Sequence, residues 1–311
     1  MASLRLIRWE NLLIIILLKY LLRYMVILPL LGGSGVTNLH FFLLVMAVVF
    51  VAASRYAIHA YHDEYDDTLR KRGQPLLFKR LKKIRALQAF WLFNGIAVLL
   101  AAYLAYQYQY LPLMAILVAV PLLIWLQAVR LRKFILTSHI LLTLLAAAVP
   151  LLVWLLEVRA FHLMELPPAR CFFIAGPVVY AYAFFTAMAT LLREVLKDLE
   201  DYRMDLRARN QSLPVLIGVG NARKVSVLLV ALILVGIAFA KLIIFGEDLL
   251  WLSAYLLVAV ILPFLLVLFM LLRVPADPKY CQIQQIVKLA MITGVLSMLV
   301  LHVYLVNGVI C

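Results

Sequence analysis

Apolar residues in this chain neither alternate nor favour one helical face; they run on for about twenty residues at a time. A helix needs about 20 mostly apolar residues to cross the hydrocarbon core of a bilayer. Nine stretches reach that length, at about 11–31, 39–58, 87–108, 111–128, 134–156, 171–192, 225–245, 249–272 and 286–307. The pattern predicts an all-α, polytopic membrane protein, a bundle of nine transmembrane helices. Arg5 and Arg8 stand before the first run, as in a secretory signal. The run is too long for a signal core, and Gly32-Gly33-Ser34-Gly35 reads as a turn, not a cleavage site.

Composition agrees with this pattern. Hydrophobic residues make up 67% of the 311 and charged residues 14%, with a mean hydropathy of +1.05. A soluble domain is about half apolar and a quarter charged, and a disordered chain is poorer still in apolar residues. Both classes are excluded. Cys171, Cys281 and Cys311 are scattered, without metal or redox spacing.

The formal charge of +14 comes from 29 Lys and Arg against 15 Asp and Glu. Its placement matters more than its size. Nine Lys and Arg lie between Arg55 and Arg85 and seven between Arg193 and Lys224, with smaller groups at Arg5 and Arg8, at Arg130, Arg132 and Lys133, and at Arg273 and Lys279. The intervening loops are nearly bare. The positive-inside rule then predicts a cytoplasmic N-terminus and an external C-terminus. Topology accounts for the net charge, and nucleic acid is not needed as a partner.

The acids are concentrated. Four lie in residues 63–67 and five in 194–205, nine of the fifteen. His59, Asp63 and Asp67 follow i, i+4, i+8 spacing, and Asp198, Asp201 and Asp205 follow i, i+3, i+7, so a continued helix carries each set on one face. Like charges stacked in this way destabilise a helix unless a cation sits among them. Two facing helices with carboxylate ligands suit a hard ion, Mg²⁺ above all, which takes a few carboxylates plus substrate phosphates. The plain alternative is a solvated loop whose acids pair with Arg70, Lys197 and Arg203.

The run Lys197-Asp198-Leu199-Glu200-Asp201-Tyr202-Arg203-Met204-Asp205, followed by Ser212-Leu213-Pro214-Val215-Leu216-Ile217-Gly218, closely resembles the second aspartate motif of the UbiA superfamily of membrane prenyltransferases. That motif reads K-D-x-x-D-x-x-x-D with a downstream T-L-P-V-x-x-G. Arg8-Trp9-Glu10-Asn11-Leu12-Leu13 is similar to the R-x-x-N-L-L that opens the family's first helix. The family's first motif, N-D-x-x-D-x-x-x-D, aligns with His59-Ala60-Tyr61-His62-Asp63-Glu64-Tyr65-Asp66-Asp67. Asp63 and Asp67 are kept, His59 replaces Asn and Ala60 replaces Asp.

The resemblance implies one prenyltransferase domain over residues 1–311, lodged in a bacterial plasma (inner) membrane with its site facing the cytoplasm. It implies transfer of an isoprenyl chain from a polyprenyl diphosphate to a lipid-soluble acceptor, a quinone-type aromatic or a glycerol-phosphate lipid. The catalytic set it implies is Asp63, Asp67, Asp198, Asp201, Asp205 and Lys197, with the five aspartates as Mg²⁺ ligands. Asn11, His59 and Arg193 are expected to bind substrate.

Lys19 and Arg23, at i and i+4 inside the first span, join that substrate-binding set. An ionised group at mid-bilayer costs about 2.5–3.5 kcal/mol even on lenient scales and usually faces a cavity. Two other classes stay open: a non-catalytic lipid-binding or scaffold relative whose first motif decayed, and a transporter suggested by Lys19 and Arg23. Oligomeric state has no signature in the sequence.

Overall fold

A computed structural model describes residues 9–70, 76–129, 135–164, 172–208, 211–242, 249–273 and 280–307. Among them there is helix and no strand. In chain order the elements are α1 (Trp9–Leu21), a π-helical segment π1 (Leu22–Ile27), α2 (Leu28–Leu31), α3 (Asn38–Arg70), α4 (Leu76–Gln107), α5 (Leu111–Val129), α6 (Ile135–Leu163) and α7 (Phe172–Ala208). There follow α8 (Leu213–Ile217), α9 (Val219–Ala240), α10 (Leu250–Leu256), a second π-helical segment π2 (Leu257–Ile261), α11 (Leu262–Leu272) and α12 (Tyr280–Val306). Nine helical stretches among the described residues are long and apolar enough to cross a membrane.

Hydropathy places all nine spans and misplaces some of their ends. The fifth reaches Leu163 and the sixth runs to Arg207, while the seventh and ninth start earlier, at Val219 and Tyr280. The fifth outlasts its apolar run because its charges are accommodated. Glu157 is buried, and Arg159 donates from Nε to the Tyr108 carbonyl at 3.2 Å and from Nη2 to that of Gln109 at 3.1 Å. It thereby serves carbonyls that the end of α4 leaves without helical partners.

The chain divides into two compact units. The first comprises Met1–Leu17, Gly35–Arg132 and Leu156–Met164. Here α3 and α4 lie along each other and both meet α5, with Phe41, Leu44, Phe90, Leu104 and Leu113 in the core. The Thr37 hydroxyl accepts from the His40 N–H at 3.2 Å and so caps α3. Gly35 is required by contact. A Cβ there would lie 2.7 Å from the Ala160 carbonyl carbon.

The second unit comprises Leu18–Ser34, Lys133–Leu155 and Glu165–Cys311. Its core gathers Leu192, Leu196, Val230, Phe264, Val267 and Val287 from α7, α9, α11 and α12. Prolines interrupt its helices, since a proline cannot donate to the carbonyl four residues back and its ring crowds that carbonyl. For Pro29, Pro150 and Pro263 the carbonyls concerned are those of Met25, Ala146 and Ala259. Two of them meet a side-chain donor from another helix. His302 Nδ1 is 3.1 Å from Met25 O and Thr293 Oγ1 is 2.6 Å from Ala259 O. The Thr186 hydroxyl lies 3.4 Å from Ala146 O but closer, 2.9 Å, to Tyr182 O of its own helix.

Met25 and Ala259 lie within π1 and π2. The wider π turn moves the crowded carbonyl away from the ring, so these segments are what a proline produces when the helix continues through it. In lipid such a carbonyl has no water to turn to, and a neighbouring helix must supply the donor.

Thr293→Val should therefore lower stability by about 0.6–1.7 kcal/mol, the range of interhelical hydrogen bonds in membranes. In a Pro263→Ala background, where residue 263 regains its N–H, the same change should cost much less. Thermal unfolding in detergent measures both. Equal losses in the two backgrounds would show that the hydroxyl does not serve the Ala259 carbonyl.

Candidate active site

The second aspartate motif sits on the C-terminal part of α7, which stays helical to Ala208. Leu192, Val195, Leu196 and Leu199 are buried in the second unit's core and fix the rotation of the helix. That rotation sets Asp198, Asp201 and Asp205 along an adjoining stripe, all three half-buried. At 1.5 Å per residue the stripe is about 10 Å long. Arg193 and Lys197 are half-buried on the same segment. Glu200 is drawn away, its Oε2 accepting from Gln284 Nε2 of α12 at 2.6 Å.

Asp198 is held from two directions. Its Oδ2 accepts from the Leu213 backbone N–H at 3.2 Å and lies 3.3 Å from Nε2 of the buried His139, on α6. The Leu213 bond gives a physical meaning to the downstream Ser-Leu-Pro-Val segment. Ser212, extended at φ −78° and ψ 159°, opens the five-residue α8. Pro214, which has no N–H, is tolerated in a first turn because that donor would be unpaired anyway. Leu213 is left with an N–H that no helical carbonyl takes, and the Asp198 carboxylate takes it. Gly218, at φ 85°, then lets the chain turn from α8 into α9 in a backbone region that other residues rarely enter.

The aspartates supply only oxygen donors, as a hard divalent cation prefers. With Oδ2 of Asp198 engaged, its Oδ1 has no donor among the described residues, and neither has the Asp201 carboxylate. These residues fit Mg²⁺. They do not form a complete cage, since no three His, Cys, Asp or Glu side chains converge as a metal site among the described residues.

For the first motif, α3 is helical through Arg70, so the i, i+4, i+8 register of His59, Asp63 and Asp67 is that of a helix; their side chains lie outside the described residues. The helix leading to them is tied in two places. Asn11 Nδ2 donates to Tyr56 Oη at 3.0 Å, which places Asn11 about one turn before His59. Ser54 Oγ donates to Asn94 Oδ1 at 2.9 Å, and both are buried.

Lys19 and Arg23 are fully buried and differ in what they reach. Arg23 Nη2 donates to Ser34 Oγ at 2.9 Å, and its guanidinium lies 5.3 Å from the centre of the Tyr24 ring. Lys19 Nζ has no hydrogen-bond acceptor among the described residues.

Farther along α7 is a mostly apolar pocket lined by residues including Tyr182, Phe185, Ile233, Gly236, Leu256 and Val260. Tyr182 lies sixteen residues before Asp198, about 24 Å along the helix. The Tyr182 and Ser297 hydroxyls pair at 2.9 Å within it.

Sequence reasoning passed over His139, Tyr56 and Asn94. Each is a single polar residue in an apolar run, and nothing in the run signals its partner.

The sequence has no significant match among curated proteins. A solved structure concerned with digeranylgeranylglyceryl phosphate synthase in membranes is similar over 96% of this chain and 99% of its own, with a TM-score of 0.55 and 19% sequence identity. At that identity the likeness is one of fold. The UbiA prenyltransferase family matches residues 21–292, a range that takes in both aspartate motifs. This chain belongs to the UbiA prenyltransferase family.

Proposed function

We propose that this protein is a Mg²⁺-dependent membrane prenyltransferase. It passes an isoprenyl chain from a polyprenyl diphosphate to a lipid-soluble acceptor, a quinone-type aromatic or a glycerol-phosphate lipid. The observation that carries this reading is the carboxylate stripe of α7, with Asp198 anchored by the chain segment that follows the motif. A stripe serving only as a solvated face has no need of that anchor.

In the reaction the bond between the allylic carbon and the diphosphate oxygen breaks, a bond forms from that carbon to the acceptor, and the acceptor gives up a proton. Bound Mg²⁺ would supply Lewis-acid neutralisation of the departing diphosphate. Asp198, Asp201 and Asp205 would hold it, with Asp63 and Asp67 of the first motif supplying further carboxylates. Lys197 and Arg193 contribute charge-assisted hydrogen bonds to the phosphate oxygens, and His59 and Asn11 add polar contacts to the same group. The apolar cavity along α7 suits an isoprenoid tail. Lys19, a buried cation lacking an acceptor among the described residues, suits an anionic or electron-rich part of a substrate.

Purified protein should release pyrophosphate from a panel of prenyl diphosphates when Mg²⁺ is added and stop when it is chelated. Asp201→Asn should remove most of that turnover while the protein stays folded, because the change is isosteric and relieves like-charge repulsion. Full turnover in the variant would favour a solvated acidic face. No pyrophosphate release from any donor would favour a non-catalytic lipid-binding relative.

Lys19→Met separates a substrate contact from a structural one. Removing a buried charge should leave thermal stability unchanged or raised, while turnover falls at least tenfold. Normal turnover would remove Lys19 from the substrate-binding set.

Sidedness rests on the loop charges, which support a site facing the cytoplasm, in keeping with a bacterial inner membrane. Single cysteines at positions 72 and 209 should resist an impermeant thiol reagent added to intact cells, and one at 307 should react. The opposite pattern would invert the topology.

A further inference from the structure

We propose that His139 is a positioning residue: its Nε2, within ion-pair distance of Oδ2 of Asp198, holds that oxygen and so fixes the direction in which the other oxygen of that carboxylate meets a divalent cation. The inference rests on the reading of Asp198 as a metal ligand, and it assigns a role to a residue that no part of the aspartate motifs contains.

The carboxylate of an aspartate turns about its last bond unless something holds it. Here the Leu213 N–H, at 3.2 Å, and His139 Nε2, at 3.3 Å, both converge on Oδ2. They come from different elements, the start of α8 and the start of α6, so two separate parts of the second unit meet at one carboxylate oxygen. Oδ1 is left without a donor among the described residues. His139 is 8% exposed, which keeps water from replacing it.

The ring nitrogen and the oxygen are within ion-pair distance, but they are not aligned for a hydrogen bond. Ligating carboxylates are commonly held in this way by groups that do not touch the metal, and loss of one costs about 10–100-fold in metal affinity or activity.

The rival explanation is an ordinary buried pair that matters for packing alone. Mn²⁺ can separate the two, because its binding to detergent-solubilised protein is read directly from the electron paramagnetic resonance signal of the free ion. Three variants are compared with the wild type. His139→Phe keeps the ring volume and removes the donor. His139→Gln places an amide N–H near the position of Nε2. Asp198→Asn removes the carboxylate itself.

The expected result is Mn²⁺ affinity weakened about 10–100-fold in His139→Phe, within about threefold of wild type in His139→Gln, and lost in Asp198→Asn. Turnover should follow the same order, with kcat falling more than KM for the prenyl diphosphate rises. Wild-type affinity in both His139 variants would overturn the inference, whatever their thermal stability. So would an equal loss in both, since that would make the ring and not its donor the requirement. If His139→Phe fails to fold, a tenfold or greater loss in His139→Gln overturns the inference by itself, and retention supports it. Wild-type Mn²⁺ binding in Asp198→Asn would sink the assignment of Asp198 as a ligand, and this inference with it.

Discussion

In a hydrocarbon environment a backbone carbonyl that loses its helical partner must find another within the protein, and in the second unit this constraint is met twice in the same way. Pro29 and Pro263 each remove one N–H, and the carbonyls of Met25 and Ala259 each find a side chain on a different helix. The two donors, His302 and Thr293, stand nine residues apart on α12. That helix therefore matches both π segments through polar contacts as well as packing. Small clusters of this kind give direction to an interface that apolar contact alone would leave free to slide. Pro121 of α5 shows the contrast: the carbonyl of Leu117 meets no side-chain donor among the described residues.

The rotation of α7 carries this order to the carboxylates. Its buried Leu and Val stripe meets α9, α11 and α12, and Asp198, Asp201 and Asp205 follow from that choice of face. A helix with stacked acids is locally unfavourable. It stays helical to Ala208 because its apolar stripe is buried and because the first acid is paired with a backbone N–H and a histidine. Rule-breaking at one local site, supported by consistency around it, is the pattern expected where a protein binds a ligand.

Much of this was legible in the sequence because the signals are periodic or long. Nine apolar runs gave nine spans, and i, i+3, i+7 spacing put the three aspartates on one face of a helix that is indeed continuous there. Span ends were less legible. Hydropathy treats Glu157 and Arg159 as an exit from the membrane, while burial and the carbonyls of Tyr108 and Gln109 keep them in the helix. The hold on Asp198 was not legible at all. One of its contacts is a backbone N–H, which has no sequence signature, and the other is a lone histidine whose partner lies 59 positions away.

Lys19 and Arg23 show how far spacing alone can mislead. One helical turn apart and equally buried, they invite a single explanation as a pair facing one cavity. Arg23 has a long, planar fork, and it uses one arm to reach Ser34 at the turn that ends the first span. A structural role is enough to account for its charge. Lys19 has a compact ammonium and no acceptor among the described residues. An unpaired buried cation is a cost that the fold does not recover from any described contact. The two are therefore separable: if either contacts a substrate, the structure favours Lys19, and Arg23 is better understood as a fastening between the first span and the turn that follows it.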